Sequence, residues 1–389
     1  MPYYRAVGEI PRKRHTVFRR PDGGIYAEEL MGEEGFSSDS SLLYHRYLPS
    51  AIVKTEPADD AVAAAGTTEN SPLAPRHFRT RDLASGGDLV AGRQLLAGND
   101  DVWLSLAAVN QPSELYRNSV GDETVYLQSG SARFESTYGA LEAGEGDYVT
   151  VPTGTIHRWV PHGDVTALVI EASGHIRPPR RYLSAYGQFL EHAPYCERDL
   201  RAPTQPWTVE GPEAEAATPV LVRTRGGLTR MTFAHHPFDV VGWDGCLYPY
   251  AFNIADFEPI VKRTHAPPPV HQTFEGPNFV ICSFCPRPLD FHPDAVPIPY
   301  NHHNVDSDEF MYYVDGDYAA RKGSGIGIGS VSLHPAGFTH GPQPGAVEDA
   351  LGAQQTSETA VMIDTFRPLR LGDAGRACED ASYAWTWAR

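Results

Sequence analysis

Two histidines and a glutamate in the last quarter of the chain are spaced to hold a metal ion. His303 precedes Glu309 by six residues, and His340 closes the set. Two imidazoles and one carboxylate form the facial ligand set of non-haem Fe(II) oxygenases, which leaves neighbouring positions open for substrate and dioxygen. A six-residue step puts His303 and Glu309 on one face of a regular extended segment. His302 competes for the place, because adjacent strand residues face opposite ways and only one can point inward. A lone His-x5-Glu says little. The Pro335-Ala-Gly-Phe-Thr-His340 segment at the right distance gives it weight.

The elements that must position these residues occur twice. One segment reads Asp122-Glu-Thr-Val-Tyr-Leu-Gln-Ser-Gly130 and ends in Gly146-Asp-Tyr-Val-Thr-Val-Pro-Thr-Gly-Thr-Ile-His157. The other reads Asp308-Glu-Phe-Met-Tyr-Tyr-Val-Asp-Gly316 and ends in Gly329-Ser-Val-Ser-Leu-His-Pro-Ala-Gly-Phe-Thr-His340. Each carries Asp-Glu, a strand-like run, Gly, then Pro-x-Gly-x-x-His. Such repetition predicts a duplicated barrel, and the matched order resembles the two motifs of the cupin superfamily. By spacing, Arg117 stands in the first repeat where His303 stands in the second, while Glu123 and His157 keep their places. A cation at a ligand position opposes metal binding, so the first barrel is expected to be metal-free and structural.

The rest of the chain narrows the class. Short apolar runs separated by turns, with 36 Gly and 33 Pro, predict a mostly β protein. The formal net charge of −17 and the lack of any basic run beyond Arg12-Lys13-Arg14 argue against a nucleic-acid partner. The first thirty residues are charged and hold no apolar core, and no run reaches the length of a membrane helix. A cytoplasmic protein without a membrane partner is expected. The five cysteines are odd in number and sparse, so a disulfide scaffold is not expected. Cys282 and Cys285 are three apart in a strand-like run and should face opposite ways rather than share a metal.

The expected organisation is an N-terminal segment of irregular structure or short strands with a connector over residues 1–84, and a first cupin-like, jelly-roll barrel over 85–178. A linker with a short helix follows over 179–217, then the second barrel with the iron site and a C-terminal tail over 218–389. Within the connector, residues 51–80 read as an exposed loop, with a short helix in the Ala-rich stretch at 61–66.

Over nearly its whole length the chain resembles the homogentisate 1,2-dioxygenases. The resemblance lies in Ile10-Pro-Arg-Lys-Arg-His-Thr-Val-Phe-Arg19, Ser40-Ser-Leu-Leu-Tyr-His45, Phe238-Asp-Val-Val-Gly-Trp243, Asn304-Val-Asp-Ser-Asp-Glu-Phe310 and Ser332-Leu-His-Pro-Ala-Gly-Phe-Thr-His-Gly-Pro342. The last two are specific to the family. The resemblance implies Fe(II) bound by His303, Glu309 and His340. It places Tyr318 and His334 in the substrate pocket and makes His265 the pocket acid/base, with His271 a nearby alternative. It implies oxidative ring opening of homogentisate by O2 to maleylacetoacetate, in tyrosine and phenylalanine catabolism, by a homo-oligomer built of trimers. Better-known members are longer and carry an aromatic where this chain has Asn301, a position expected to bear on which aromatic acid is held. Two other readings share the ligand set or the fold: a cupin dioxygenase or isomerase acting on another hydroxylated aromatic acid, and a non-enzymatic ligand-binding bicupin.

Overall fold

The computed structural model describes residues 3–58 and 66–388. The chain is mostly β. Its largest sheet has eight strands, among them the neighbours Asp147–Val151, Glu123–Ser129, Val165–Ala172 and Val102–Val109. Opposite lies a seven-stranded sheet containing Gly139–Ala143, Ala132–Ser136, His157–Pro161 and Tyr116–Asn118. Alternating apolar residues from both faces fill the space between them, among them Val125, Val149, Val169, Phe134 and Trp159, none of them solvent-accessible. This is the first barrel.

The second barrel is built on a six-stranded sheet whose central strands are Phe279–Phe284, Thr359–Thr365, Asp308–Asp315 and Ser330–His334. Its opposing side is reduced to the short pair Arg287–Pro288 and Gln355–Thr356 and an isolated bridge between His302 and His340. The two large sheets pack back to back through one continuous apolar cluster that includes Tyr126, Tyr148, Leu168, Phe274, Phe310 and Ile363. The Tyr148 hydroxyl meets Ser283 Oγ across this seam at 2.8 Å.

Both repeats turn at the same glycines. Gly154 and Gly337, the glycines of the two Pro-x-Gly turns, have φ of 84° and 83°. A Cβ there would meet the following carbonyl, so glycine suits both turns.

Of the two readings of the N-terminal segment the structure has the strands: Arg5–Gly8, Ala27–Gly32 and Ser40–His45 form a four-stranded sheet with the distant strand Val240–Gly245. Three expectations are corrected. The second barrel does not begin at 218, because Thr218–Thr224 and Gly227–Phe233 extend the seven-stranded sheet of the first barrel. The short helix after Pro179 is only a 3₁₀ turn at Arg180–Tyr182, followed by a tight turn in which Ser184 and Gly187 bond each other and Leu183 bridges to Phe189. Of the connector, Ile52–Ala58 is an exposed strand rather than a loop, and most of the stretch at 61–66 lies outside the described residues. No helix among the described residues is long and apolar enough to cross a membrane.

Candidate metal centre

Backbone pairing decides which histidine enters the site. His302 and His340 exchange both main-chain hydrogen bonds, at 2.8 and 2.9 Å. That pairing turns both rings toward Glu309: His302 Nε2 and His340 Nε2 each lie 3.6 Å from Glu309 Oε2. His302, Glu309 and His340 offer ligand atoms that all fall within 4.8 Å of one another. His303 is exposed and turned away. The assignment of His303 to this cluster is therefore corrected to its neighbour, by the alternation of side chains along an extended backbone.

Backbone carbonyls set the rings. His302 Nδ1 bonds the carbonyl of Tyr300 at 3.0 Å, and His340 Nδ1 that of Phe338 at 3.2 Å. A carbonyl only accepts, so Nδ1 carries the proton and Nε2 presents its lone pair. His340 Nε2 is fully buried and has no hydrogen-bond partner. A buried lone pair with nothing to accept from, beside a carboxylate and a second imidazole aimed the same way, is the donor set a divalent transition metal fits.

Glu309 sits in the middle of a row across the sheet. Its cross-strand neighbours are His334 on one side and Asp364 on the other. Oε1 accepts from His334 Nδ1 at 2.8 Å, and the Arg321 guanidinium lies 3.9 Å away. Burial would push the Glu309 carboxyl up, but the His302, His334 and His340 imidazoles hold it well below the usual carboxylate range. Asp364 goes the other way: burial, then the Glu309 charge, push it up to about 8.

The first barrel holds the same row with different contents. Glu123 pairs with Val151 and Glu171 as Glu309 pairs with His334 and Asp364. Tyr116 faces His157 as His302 faces His340. The residue equivalent to His302 is thus Tyr116, and the expected role of Arg117 is corrected by the same one-residue alternation; Arg117 points outward, its Nη2 3.5 Å from Met231 Sδ. Two cations lie inside, Arg223, with Nε 3.1 Å from Glu171, and Arg93. The Arg93 guanidinium binds Glu123 through both carboxylate oxygens at 2.9 Å and reaches Glu171 at 3.0 Å. Tyr116 donates to Glu123 at 2.6 Å. Burial opposes ionisation of Glu123, yet Arg93 carries the carboxyl down to about 2. In the second barrel Glu309 has the Arg321 guanidinium at 3.9 Å and the His302, His334 and His340 imidazoles around it instead.

The remaining site residues fall around this cluster unequally. Tyr318 lies in the apolar lining of the second barrel with Cys282, Met311 and Met362, its hydroxyl buried without a partner. Cys282 faces that lining and Cys285 the seam between barrels, as expected of residues three apart in a strand. His334 is fully buried, with Nδ1 on Glu309 and Nε2 2.9 Å from the Tyr383 hydroxyl. Both its nitrogens are used within the protein, so it supports the cluster rather than offering a free group to a substrate. Asn301 is exposed and packs on Gly341. His265 is exposed, its Nε2 3.5 Å from the hydroxyl of Tyr300, the residue whose carbonyl holds His302. His271 instead stacks on Phe284 at 4.4 Å, and burial, then Arg287, lower it to about 3. Arg93, Asp364 and Tyr383 belong to no sequence motif, and only the three-dimensional pairing reveals them. A second cluster, Glu33, Asp122 and His175, has Arg177 3.6 Å from Glu33 and an Asp122 already accepting from Thr153 and Ile176. It reads as an ion-pair network.

Paired β-barrels with two imidazoles and a carboxylate gathered in one of them are an arrangement that metal-dependent dioxygenases use. The chain belongs to the homogentisate 1,2-dioxygenase family: residues 5–254 match the family's N-terminal model and residues 259–389 its C-terminal model. A relative from Saccharolobus solfataricus named "Putative dioxygenase" is 35% identical over 391 residues, covering 100% of this chain and 99% of the relative. The homogentisate 1,2-dioxygenase of Emericella nidulans is 27% identical over 399 residues, covering 95% of this chain and 84% of that one. Among solved structures, an oxalate decarboxylase variant of Bacillus subtilis is 13% identical, covers 77% of this chain and 79% of its own, and has a TM-score of 0.35.

Proposed function

We propose that this chain is an Fe(II)-dependent, ring-cleaving dioxygenase that converts homogentisate and O2 to maleylacetoacetate in tyrosine and phenylalanine catabolism. It works in the cytoplasm, as a homo-oligomer. The observation that carries the reading is the His302–Glu309–His340 cluster, with its buried unpartnered His340 Nε2, in a chain of this family.

His302, Glu309 and His340 are the residues that would hold the iron; His303 is not assigned a role. Bound there, iron supplies Lewis-acid and one-electron chemistry that lets dioxygen react with an aromatic ring. The protein's own part is positioning and proton handling. Tyr318 offers an unpaired hydroxyl in an apolar lining, suited to a phenolic or carboxylate oxygen of the substrate. His265, beside Tyr300, accepts a phenolic proton from the substrate and returns it. Asn301 at the rim bears on how the substrate's carboxylate side chain is held.

The test is anaerobic loading with Fe(II), followed by oxygen uptake with homogentisate, gentisate and 3-hydroxyanthranilate in parallel. Uptake and a ring-opened product with homogentisate alone are expected. Uptake with either of the others instead assigns a different aromatic acid, and no uptake with any of them removes the enzymatic reading for this substrate class.

A further inference from the structure

The last residues of the chain reach the metal cluster from behind. Tyr383–Ala388 forms a short 3₁₀ turn after a tail that runs beside Arg76–Arg79, where Arg79 N bonds the Cys378 carbonyl and Asp380 N that of His77. The turn is pinned by Gln343 donating to Thr386 Oγ1 at 2.9 Å. From it, two side chains point toward the site. Trp387 Nε1 donates to the carbonyl of Gly341 at 3.1 Å, next to His340 in sequence. Tyr383, with no solvent exposure, sets its hydroxyl 2.9 Å from His334 Nε2.

The hydrogen bonds around His334 permit one arrangement when the ring is neutral. Glu309 Oε1 is a carboxylate oxygen and only accepts, so the proton between them sits on His334 Nδ1. His334 Nε2 then has a lone pair to satisfy, and the Tyr383 O–H is what satisfies it. His334 also stacks on His340 with ring centroids 4.1 Å apart. One oxygen of Glu309 is thus tied to His334, while the other faces His302 and His340.

We infer that Tyr383 is a positioning residue of the metal centre: by donating to the Nε2 lone pair that the Glu309 bond leaves on His334, it holds that ring against Oε1 and so fixes which oxygen of Glu309 is presented to the metal. This rests on the metal-site reading above. A partner that orients a ligating carboxylate through a second side chain changes metal affinity by about tenfold to a hundredfold when removed. The first barrel offers the contrast. There Val151 takes the place of His334, and Glu123 is oriented by Arg93, Tyr116 and Asn118 instead.

The test is Co(II) binding to the full-length chain, by competition with a chelator and by visible absorption, with thermal unfolding of the metal-free protein alongside. Wild type should bind one Co(II) per chain and His340→Ala none; if wild type binds none, the metal-site reading fails first. Given wild-type binding, Tyr383→Phe should weaken Kd by about tenfold to a hundredfold and alter the Co(II) absorption, with little change in metal-free unfolding. Unchanged Kd and absorption overturn the inference, as does a lower unfolding midpoint with unchanged Kd. In a His334→Gln background, Tyr383→Phe should change Kd no further. A second loss of similar size would show that Tyr383 does not act through His334, which also overturns it.

Discussion

Tyr116 occupies in the first barrel the place that His302 occupies in the second: each faces the closing histidine of its repeat across an antiparallel pairing. The exchange of an imidazole for a phenol goes with the insertion of Arg93, whose guanidinium holds the two carboxylates that a metal would otherwise have to balance. Removing that cation leaves Glu123 and Glu171 buried without it. Arg93→Met is expected to destabilise the protein by about 3–5 kcal/mol, as loss of one member of a buried ion pair does. Denaturant unfolding checks this. A cost below about 1 kcal/mol would mean that the carboxylates find other compensation.

His302 and His303 make opposite predictions. His302→Ala should abolish tight metal binding. His303→Ala, at an exposed position, should leave metal content and affinity within about threefold of wild type, a surface change of under ~0.7 kcal/mol. Metal analysis after gel filtration separates them, and a metal-free His303→Ala would return the ligand role to His303.

Tyr318→Phe removes a hydroxyl that bonds to nothing in the protein. Stability should therefore change by less than about 0.5 kcal/mol. If that hydroxyl holds a substrate oxygen, kcat/KM on homogentisate should fall roughly tenfold to a hundredfold at unchanged metal content. Wild-type kinetics would leave Tyr318 as barrel packing.

His45 gives a pH dependence unconnected with the metal. Burial lowers its affinity for a proton, but Asp239 at 2.7 Å and Glu29 at 3.0 Å more than offset this and raise it to about 9. The folded state therefore binds the proton more tightly than the unfolded chain, whose imidazole titrates near 6.5. This contribution to stability is complete below pH 6.5 and is lost as pH rises through 9. The interval corresponds to about 3 kcal/mol at most. Measured across pH 6–10, His45→Gln should lose the part of the alkaline decline that wild type shows; parallel curves would refute the pairing.

What could be seen in the sequence follows from what is local. The Pro-x-Gly turns and the Asp-Glu that opens a strand have chemistry of their own, so both repeats and the positions of Glu309 and His340 were legible. The choice between His302 and His303 was not, because it is made by hydrogen bonds to His340, far along the chain. Counting from Glu309 assumes a regular path through residues 303–307, and the backbone there is irregular. The same slip put Arg117 in place of Tyr116. Arg93 was invisible because an isolated arginine carries no pattern. The N-terminal strands could not be told from irregular structure because the strand that joins them, Val240–Gly245, lies some two hundred residues away in sequence.

The barrels also trade strands. Arg76–Arg79, from the N-terminal part, closes the edge of the second barrel's sheet, and Arg370–Gly372, from the C-terminal part, pairs with Gln94–Gly98 of the first. Severing the chain between residues 254 and 259, where the two family models meet, would leave both fragments with an unpaired sheet edge open to intermolecular association. The first barrel's sheet therefore cannot be completed before Arg370–Gly372 is available to pair with Gln94–Gly98. Such long-range closure makes for slow folding, and it ties the stability of each barrel to a strand supplied by the other half of the chain.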